Sequence, residues 1–334
     1  MTLGLYAPAS SAGRPSSCRP RHSPVNGHVT AKVSASRHSR GRYTATTVPI
    51  ATIAFDFDPL LHLSDGLTVR WQTIALAVVL FVCLATAGVM ARRRGLRADD
   101  LLYIAIGAVP GAVLGGRIGY ALLVPGAFAA GPLSLADPSV GGLELGLAVI
   151  GGVVSGAMVA SLLGAPVGRW AHDLAVPLLV AIAAGKLTMA LGGSGQGRPF
   201  DGSWATAYIG AGPWVDPAAS LPSHPAQVYE GVATMVVAVL LMLLTVIGTF
   251  RGRDGSRLLI GIAGWAIVRA AVSTTWRDPA FVGPLPTGGL LAIGIAVAAV
   301  LGAILVAVWL PRRTRAARSA APPDWPDPET RPRF

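Results

Sequence analysis

The chain reads as an all-α, polytopic membrane protein with seven transmembrane helices. Three observations predict this. Of its 334 residues, 52% are hydrophobic and only 13% charged, against about 25% charged in an ordinary soluble domain. The apolar residues gather into seven runs near the roughly 20 residues that a spanning helix needs. Basic residues cluster beside alternate ends of those runs. The net charge of +11 therefore reads as a set of topology signals, not as a nucleic-acid surface.

The expected spans are 72–91, 101–124, 142–164, 172–192, 226–248, 257–275 and 287–310. Arg92, Arg93, Arg94 and Arg97 follow the first, and Arg169 the third. Arg251, Arg253 and Arg257 follow the fifth, and Arg312, Arg313, Arg315 and Arg318 the seventh. The intervening connections are poor in positive charge: 125–141 has none, 193–225 has Arg198 and 276–286 has Arg277. This alternation places the N-terminus outside and the C-terminus in the cytoplasm.

Residues 48–310 form the membrane domain. Residues 1–47 are rich in Ser, Arg, Pro, His and Gly; they read as a disordered basic extension or as sequence ahead of the true start. The Arg- and Pro-rich tail 311–334 is expected to be disordered too. Cys18 lies in a polar stretch and Cys83 in an apolar one, so no disulfide framework is expected. No His/Cys cluster has metal-ligand spacing.

Ionisable residues noted inside the spans are Arg117, Asp173, Lys186, Glu230 and Arg269. A charge at the centre of a bilayer costs about 2.5–3.5 kcal/mol on insertion scales, so each one marks either a functional site or a side chain that snorkels to the interface. The topology puts Arg117, Lys186, Glu230 and Arg269 at one depth, in the outer half of the bilayer. Asp173 falls at the opposite end and reads as a structural cap. Three cations around one anion leave surplus positive charge, and the anion available at that depth is a phospholipid phosphate.

"GGRIGYALL" (115–123) puts Arg117 and Tyr120 on one helix face, with Gly115, Gly116 and Gly119 permitting close helix approach. "SHPAQVYE" (223–230) opens the fifth span with His224, Gln227, Tyr229 and Glu230. That motif is similar to the His-Pro-Ser-Gln-Leu-Tyr-Glu of the prolipoprotein diacylglyceryl transferases. "LLYIAIGAVPGAVLGGRIGYALL" (101–123) resembles that family's second helix. "GWAIVRAAVSTTWRDP" (264–279) resembles its sixth-helix Arg region, and "FDFDPLLHL" (55–63) its N-terminal start. The likeness spans about residues 50–310.

The resemblance implies transfer of a diacylglyceryl group from phosphatidylglycerol to the lipobox cysteine thiol of exported preproteins, with no cofactor or metal. It implies substrate binding by Arg117 and Arg269, with Tyr120, Lys186 and Gln227 beside them, and a site shaped by Tyr229 and Glu230. His224 and Glu230 are the candidate bases, His224 being equally readable as a structural residue ahead of Pro225. The sequence departs from the pattern at several positions. Ile150 stands where the family's third helix carries a His, and Gln72 where the first carries a Tyr. In the fourth helix, Lys186 replaces an Arg, Met189 an Asn and Ser194 a Glu, and Ser273 replaces a Glu of the sixth. The phosphate-binding side is thus mostly kept and the acid/base side mostly lost. Two alternatives stand beside an active transferase. One is a catalytically impaired relative that binds anionic phospholipid or lipoprotein precursors. The other is a small-molecule transporter, against which no inverted repeat of broken helices is visible.

Overall fold

A computed structural model describes residues 52–64, 66–128, 131–137, 140–250 and 253–319. The N-terminal extension and the last residues of the tail lie outside them. Strand β1 (Ile53–Phe55) is followed by a hairpin of β2 (Leu60–Ser64) and β3 (Leu67–Arg70), which runs directly into α1 (Trp71–Arg93). Next come α2 (Ala98–Leu123), α3 (Leu145–Leu162), α4 (Val167–Thr188), β4 (Thr206–Tyr208), α5 (Ala226–Val246) and α6 (Ser256–Ser273). A short hairpin of β5 (Ala280–Val282) and β6 (Leu285–Pro286) leads into α7 (Thr287–Ser319). Among the described residues, seven helices are long and apolar enough to cross a membrane, as the seven runs predict. Their outer faces bear Phe81, Leu162 and Val246, each more than 70% exposed. Such a belt suits lipid and would be a liability in water.

Helices α2, α4 and α6 end where α1, α3, α5 and α7 begin, and all three small sheets sit at that end. We call it the loop-rich end. There β1 pairs in parallel with β4, Ile53 opposite Thr206 and Phe55 opposite Tyr208. Arg277 ties the long 193–225 connection down. Its Nη1 lies 2.6 Å from Asp216 Oδ1, its Nε donates to the Gly197 carbonyl at 2.8 Å, and its Nη2 to Ser223 Oγ at 3.2 Å.

Two apolar cores hold the bundle. One is shared by α4, α5, α6 and α7, around Leu179, Leu241, Ile262 and Trp265; the other joins α1, α2, α3 and α4 around Ala87, Ile104, Ala160 and Trp170. The second depends on small residues. Gly107, Gly111, Gly115 and Gly119, four apart along α2, all face α3 or its cap. A Cβ on Gly111 would run into the Gly151 carbonyl, and one on Gly115 into that of Leu147. Apolar helices in lipid gain nothing from hydrophobic burial, so this close backbone approach supplies the packing. Gly111→Leu is expected to destabilise the protein by about 1–3 kcal/mol through overpacking, read as a lower thermal midpoint in detergent.

Two expectations change. Asp173 is no cap. It lies nearly two turns inside α4, which starts at Val167 and not near 172, and it is paired with Arg94 Nη1 at 2.5 Å. Its polar neighbours make that first stretch look like a loop, but the carboxylate is 3% exposed and turned toward Arg94. The helix α7 also continues to Ser319, into the stretch expected to be disordered. Ala and Arg after Pro311 favour helix, and they extend one that the span has already nucleated.

Candidate functional site

The opening of α5 builds the centre of the site. Gln227 and Glu230 stand three residues apart on one helix face, and both point inward, 2% and 1% exposed. Two helix ends converge on Glu230. Lys186, in the last turn of α4, places Nζ 2.8 Å from Glu230 Oε2. Arg269, near the end of α6, places Nη1 2.9 Å from Glu230 Oε1. A second carboxylate completes the group: Glu144 Oε1 lies 3.0 Å from Arg269 Nη2.

Glu144 is the N-cap of α3, and its Oε1 and Oε2 accept from Gly146 N at 2.6 Å and Leu147 N at 2.7 Å. Glu144 at the N-cap of α3 and Lys186 in the last turn of α4 each sit where the helix dipole favours their charge. The Trp276 ring lies against the Arg269 guanidinium, 4.7 Å from its centroid. The sequence reading passed over Glu144. It is the only acid in 142–164, and a lone acid opening an apolar run is the signal that finds it.

Glu144 overturns the expected surplus of positive charge. Two carboxylates face two cations, so the cluster is balanced. It is also packed shut: Glu144, Glu230 and Arg269 are 5%, 1% and 6% exposed.

Lys186, Glu230 and Arg269 therefore meet as expected, but Arg117 does not join them. Its Nη1 donates to the Val140 carbonyl and its Nη2 to the Asp137 carbonyl. Its guanidinium lies 5.8 Å from the Phe128 ring, which also meets Tyr120 edge-on at 6.0 Å. Depth put Arg117 level with the cluster, but its buried guanidinium braces the α2–α3 connection instead. That connection delivers Glu144, whose N–H donates to the Gly116 carbonyl at 2.9 Å. Arg117→Ala is expected to loosen residues 125–143, seen as faster proteolysis there with the other connections unchanged.

His224 and Tyr229 form a second polar group beside the α5 N-terminus. His224 Nδ1 lies 3.4 Å from Tyr229 Oη, and the imidazole stacks on Phe200 with centroids 4.0 Å apart. Burial, then the Arg198 charge, lowers the His224 pKa. Folding thus favours the neutral imidazole, and the unfolded chain binds more protons below its ordinary value of about 6.5. Stability is expected to fall as pH drops through 6.5 and to level off below the folded pKa. Thermal midpoints between pH 7.5 and 5 check this, since His224→Gln removes that part of the decline. Gln227 Nε2 donates to Tyr208 Oη at 3.2 Å. Burial pushes the Tyr208 phenol up to about 12, so it stays protonated. Tyr208 escaped the sequence reading because only the long-range pairing of β1 with β4 brings it here.

The substituted positions scatter. Ile150 packs on the central apolar core, about 9 Å along α3 from Glu144 at 1.5 Å per residue. Ser194 Oγ donates to Gln72 Oε1 at 3.2 Å. Ser273 Oγ donates back to the Ala270 carbonyl at 2.7 Å, and Met189 is buried in the short turn that follows α4.

A long apolar cavity of about 490 Å³ runs between the α1–α4 and α2–α3 pairs, within the roughly 300–1,000 Å³ of small-molecule sites. Leu145, beside Glu144, lines it, as does Ala181, five residues before Lys186. A second, more polar cavity of about 520 Å³ opens at the loop-rich end among Tyr208, Trp214 and Asp216.

Known proteins share this sequence pattern. The family model described as prolipoprotein diacylglyceryl transferase matches residues 59–308. Several relatives carry the name phosphatidylglycerol–prolipoprotein diacylglyceryl transferase. The one from Gluconacetobacter diazotrophicus is 28% identical over 273 residues, covering 77% of this chain and 92% of its own. The Agrobacterium fabrum protein is 26% identical over 288 residues, covering 83% and 99%. The Bordetella avium protein is 28% identical over 263 residues, covering 77% and 96%. With seven membrane-capable helices, the converging site and a match over most of its length, this chain belongs to the prolipoprotein diacylglyceryl transferase family.

Proposed function

We propose that the protein transfers the diacylglyceryl group of phosphatidylglycerol to the cysteine thiol of lipobox-containing preproteins. The observation that carries this reading is the buried Lys186–Glu230–Arg269–Glu144 cluster beside an apolar cavity, in a chain of this family. The thiolate sulfur attacks the glyceryl carbon next to the phosphate. A C–S bond forms, the C–O bond breaks with its electrons going to the phosphate oxygen, and glycerol phosphate leaves. Arg269 and Lys186 hold the phosphate and stabilise the charge on that leaving group. An acyl chain takes the apolar cavity.

His224 is the candidate base for the thiol proton, because its lowered pKa keeps the imidazole neutral at neutral pH. Tyr229 orients it. Both oxygens of Glu230 are engaged by cations, so its part is to position Lys186 and Arg269 rather than to take a proton. Gln227 supports that face through Tyr208; Arg117 and Tyr120 act on the headgroup through the connection they brace. The loop-rich end faces outward from the plasma membrane, with the Arg-rich ends in the cytoplasm.

Purified protein with phosphatidylglycerol and a lipobox peptide is expected to add a diacylglyceryl group to the peptide, read by mass. The packing of Ile150 against the apolar core and the engagement of Ser194 and Ser273 favour a second reading, a catalytically silent lipid binder. Lipid binding without the adduct would select it.

A further inference from the structure

The charge balance at Arg269 raises a question that the proposed function leaves open. An anionic headgroup meets no free positive charge there, because Glu144 and Glu230 neutralise Arg269 and Lys186. Something must give way before a phosphate binds, and the two acids are not equivalent. Glu230 is held through both oxygens by two cations. Glu144 contributes one ion pair and is anchored separately, by the Gly146 and Leu147 N–H groups at the start of α3. It can surrender Arg269 and keep its cap.

The guanidinium itself shows where the exchange would occur. Nη1 is committed to Glu230. Nε and Nη2 point along the opposite edge, the one that grips a phosphate or carboxylate with two parallel bonds. On that edge Nη2 donates to Glu144, and Nε is buried with no partner among the described residues. A buried donor without a partner is destabilising, and a two-oxygen anion in the place of Glu144 would satisfy it. Leu145, the next residue, lines the apolar cavity.

We propose that Glu144 is an exchangeable placeholder for the lipid phosphate: it occupies half of the Arg269 fork until a phosphodiester displaces it and takes both Nε and Nη2. Glu144 is a positioning residue on this view. It keeps Arg269 aimed, and it sets a threshold that a zwitterionic or neutral lipid does not cross.

The inference rests on the proposed lipid-binding reading, and the test separates the two. Glu144→Gln and Glu144→Ser both keep an oxygen that caps α3 and remove the charge. Binding of short-chain phosphatidylglycerol, phosphatidylcholine and free glycerol phosphate to the full chain in detergent is measured for each variant. Both variants are expected to bind phosphatidylglycerol about tenfold tighter than wild type, a gain of roughly 1.4 kcal/mol, because the competing anion is gone. Their KM for it should fall. A gain shared equally by glycerol phosphate would assign the site to the headgroup alone; a gain confined to the lipid would place the tail in the adjoining cavity. Equal or weaker phosphatidylglycerol binding in both variants, with wild type still preferring it over phosphatidylcholine, overturns the placeholder and leaves the parent reading intact. No such preference in any of the three proteins overturns both.

Discussion

Arg269→Ala is expected to abolish transfer and to cost about 3–5 kcal/mol of stability, the usual penalty for breaking a buried ion pair from one side. The reason is structural as well as catalytic. Without the guanidinium, Glu144 keeps only its backbone donors, and Glu230 retains Lys186 alone. Both carboxylates stay in the bundle with less positive charge to meet them. Arg269→Lys separates the two effects. An ammonium keeps the charge near the acids but gives up the fork and much of the contact with Trp276. Its thermal midpoint should lie well above that of Arg269→Ala. Its transfer rate should still drop on the order of 10²–10³-fold, the scale for losing one preorganised donor to a developing anion. Mass detection of the peptide adduct, beside thermal unfolding in detergent, measures both. A lysine variant as fast as wild type would remove bidentate phosphate binding from the mechanism.

The seven spans were legible because a membrane helix advertises itself by length and composition alone. Their ends were legible to within a few residues, except at the end of α7 and at the start of α4. There Arg169, His172 and Asp173 resemble a loop until the partner of Asp173, Arg94, is known. The site was half legible for a related reason. Position within a span gives depth, and depth correctly brought Lys186, Glu230 and Arg269 to one level. It says nothing of direction around the helix axis, so Arg117 was assigned inward although it turns toward the carbonyls of Asp137 and Val140. Glu144 lies where span meets loop, and its inward turn follows from capping α3. Tyr208 depends on residues 53–55 pairing with 206–208. No local pattern signals a contact across 150 residues of chain.

Glu230→Gln should be the next most damaging change, and a double-mutant comparison gives it a specific form. The single variant puts one neutral amide oxygen and an NH2 donor where two carboxylate oxygens met Lys186 at 2.8 Å and Arg269 at 2.9 Å, so Lys186 stays buried without a carboxylate. About 3–5 kcal/mol should be lost, since an uncompensated charge remains in a site of low dielectric. Removing the stranded cation as well, in Lys186→Met with Glu230→Gln, leaves Arg269 paired with Glu144, so the count of charges balances again. Thermal unfolding should therefore show the double variant more stable than Glu230→Gln alone, because an apolar replacement for a broken buried pair is often neutral. Transfer should not return with stability, because Lys186 is one of the two cations assigned to the phosphate. Recovery of stability without recovery of rate would mark the Lys186–Glu230 pair as held for chemistry rather than for the fold. A double variant less stable than the single one would show instead that Lys186 has a further partner that holds its charge.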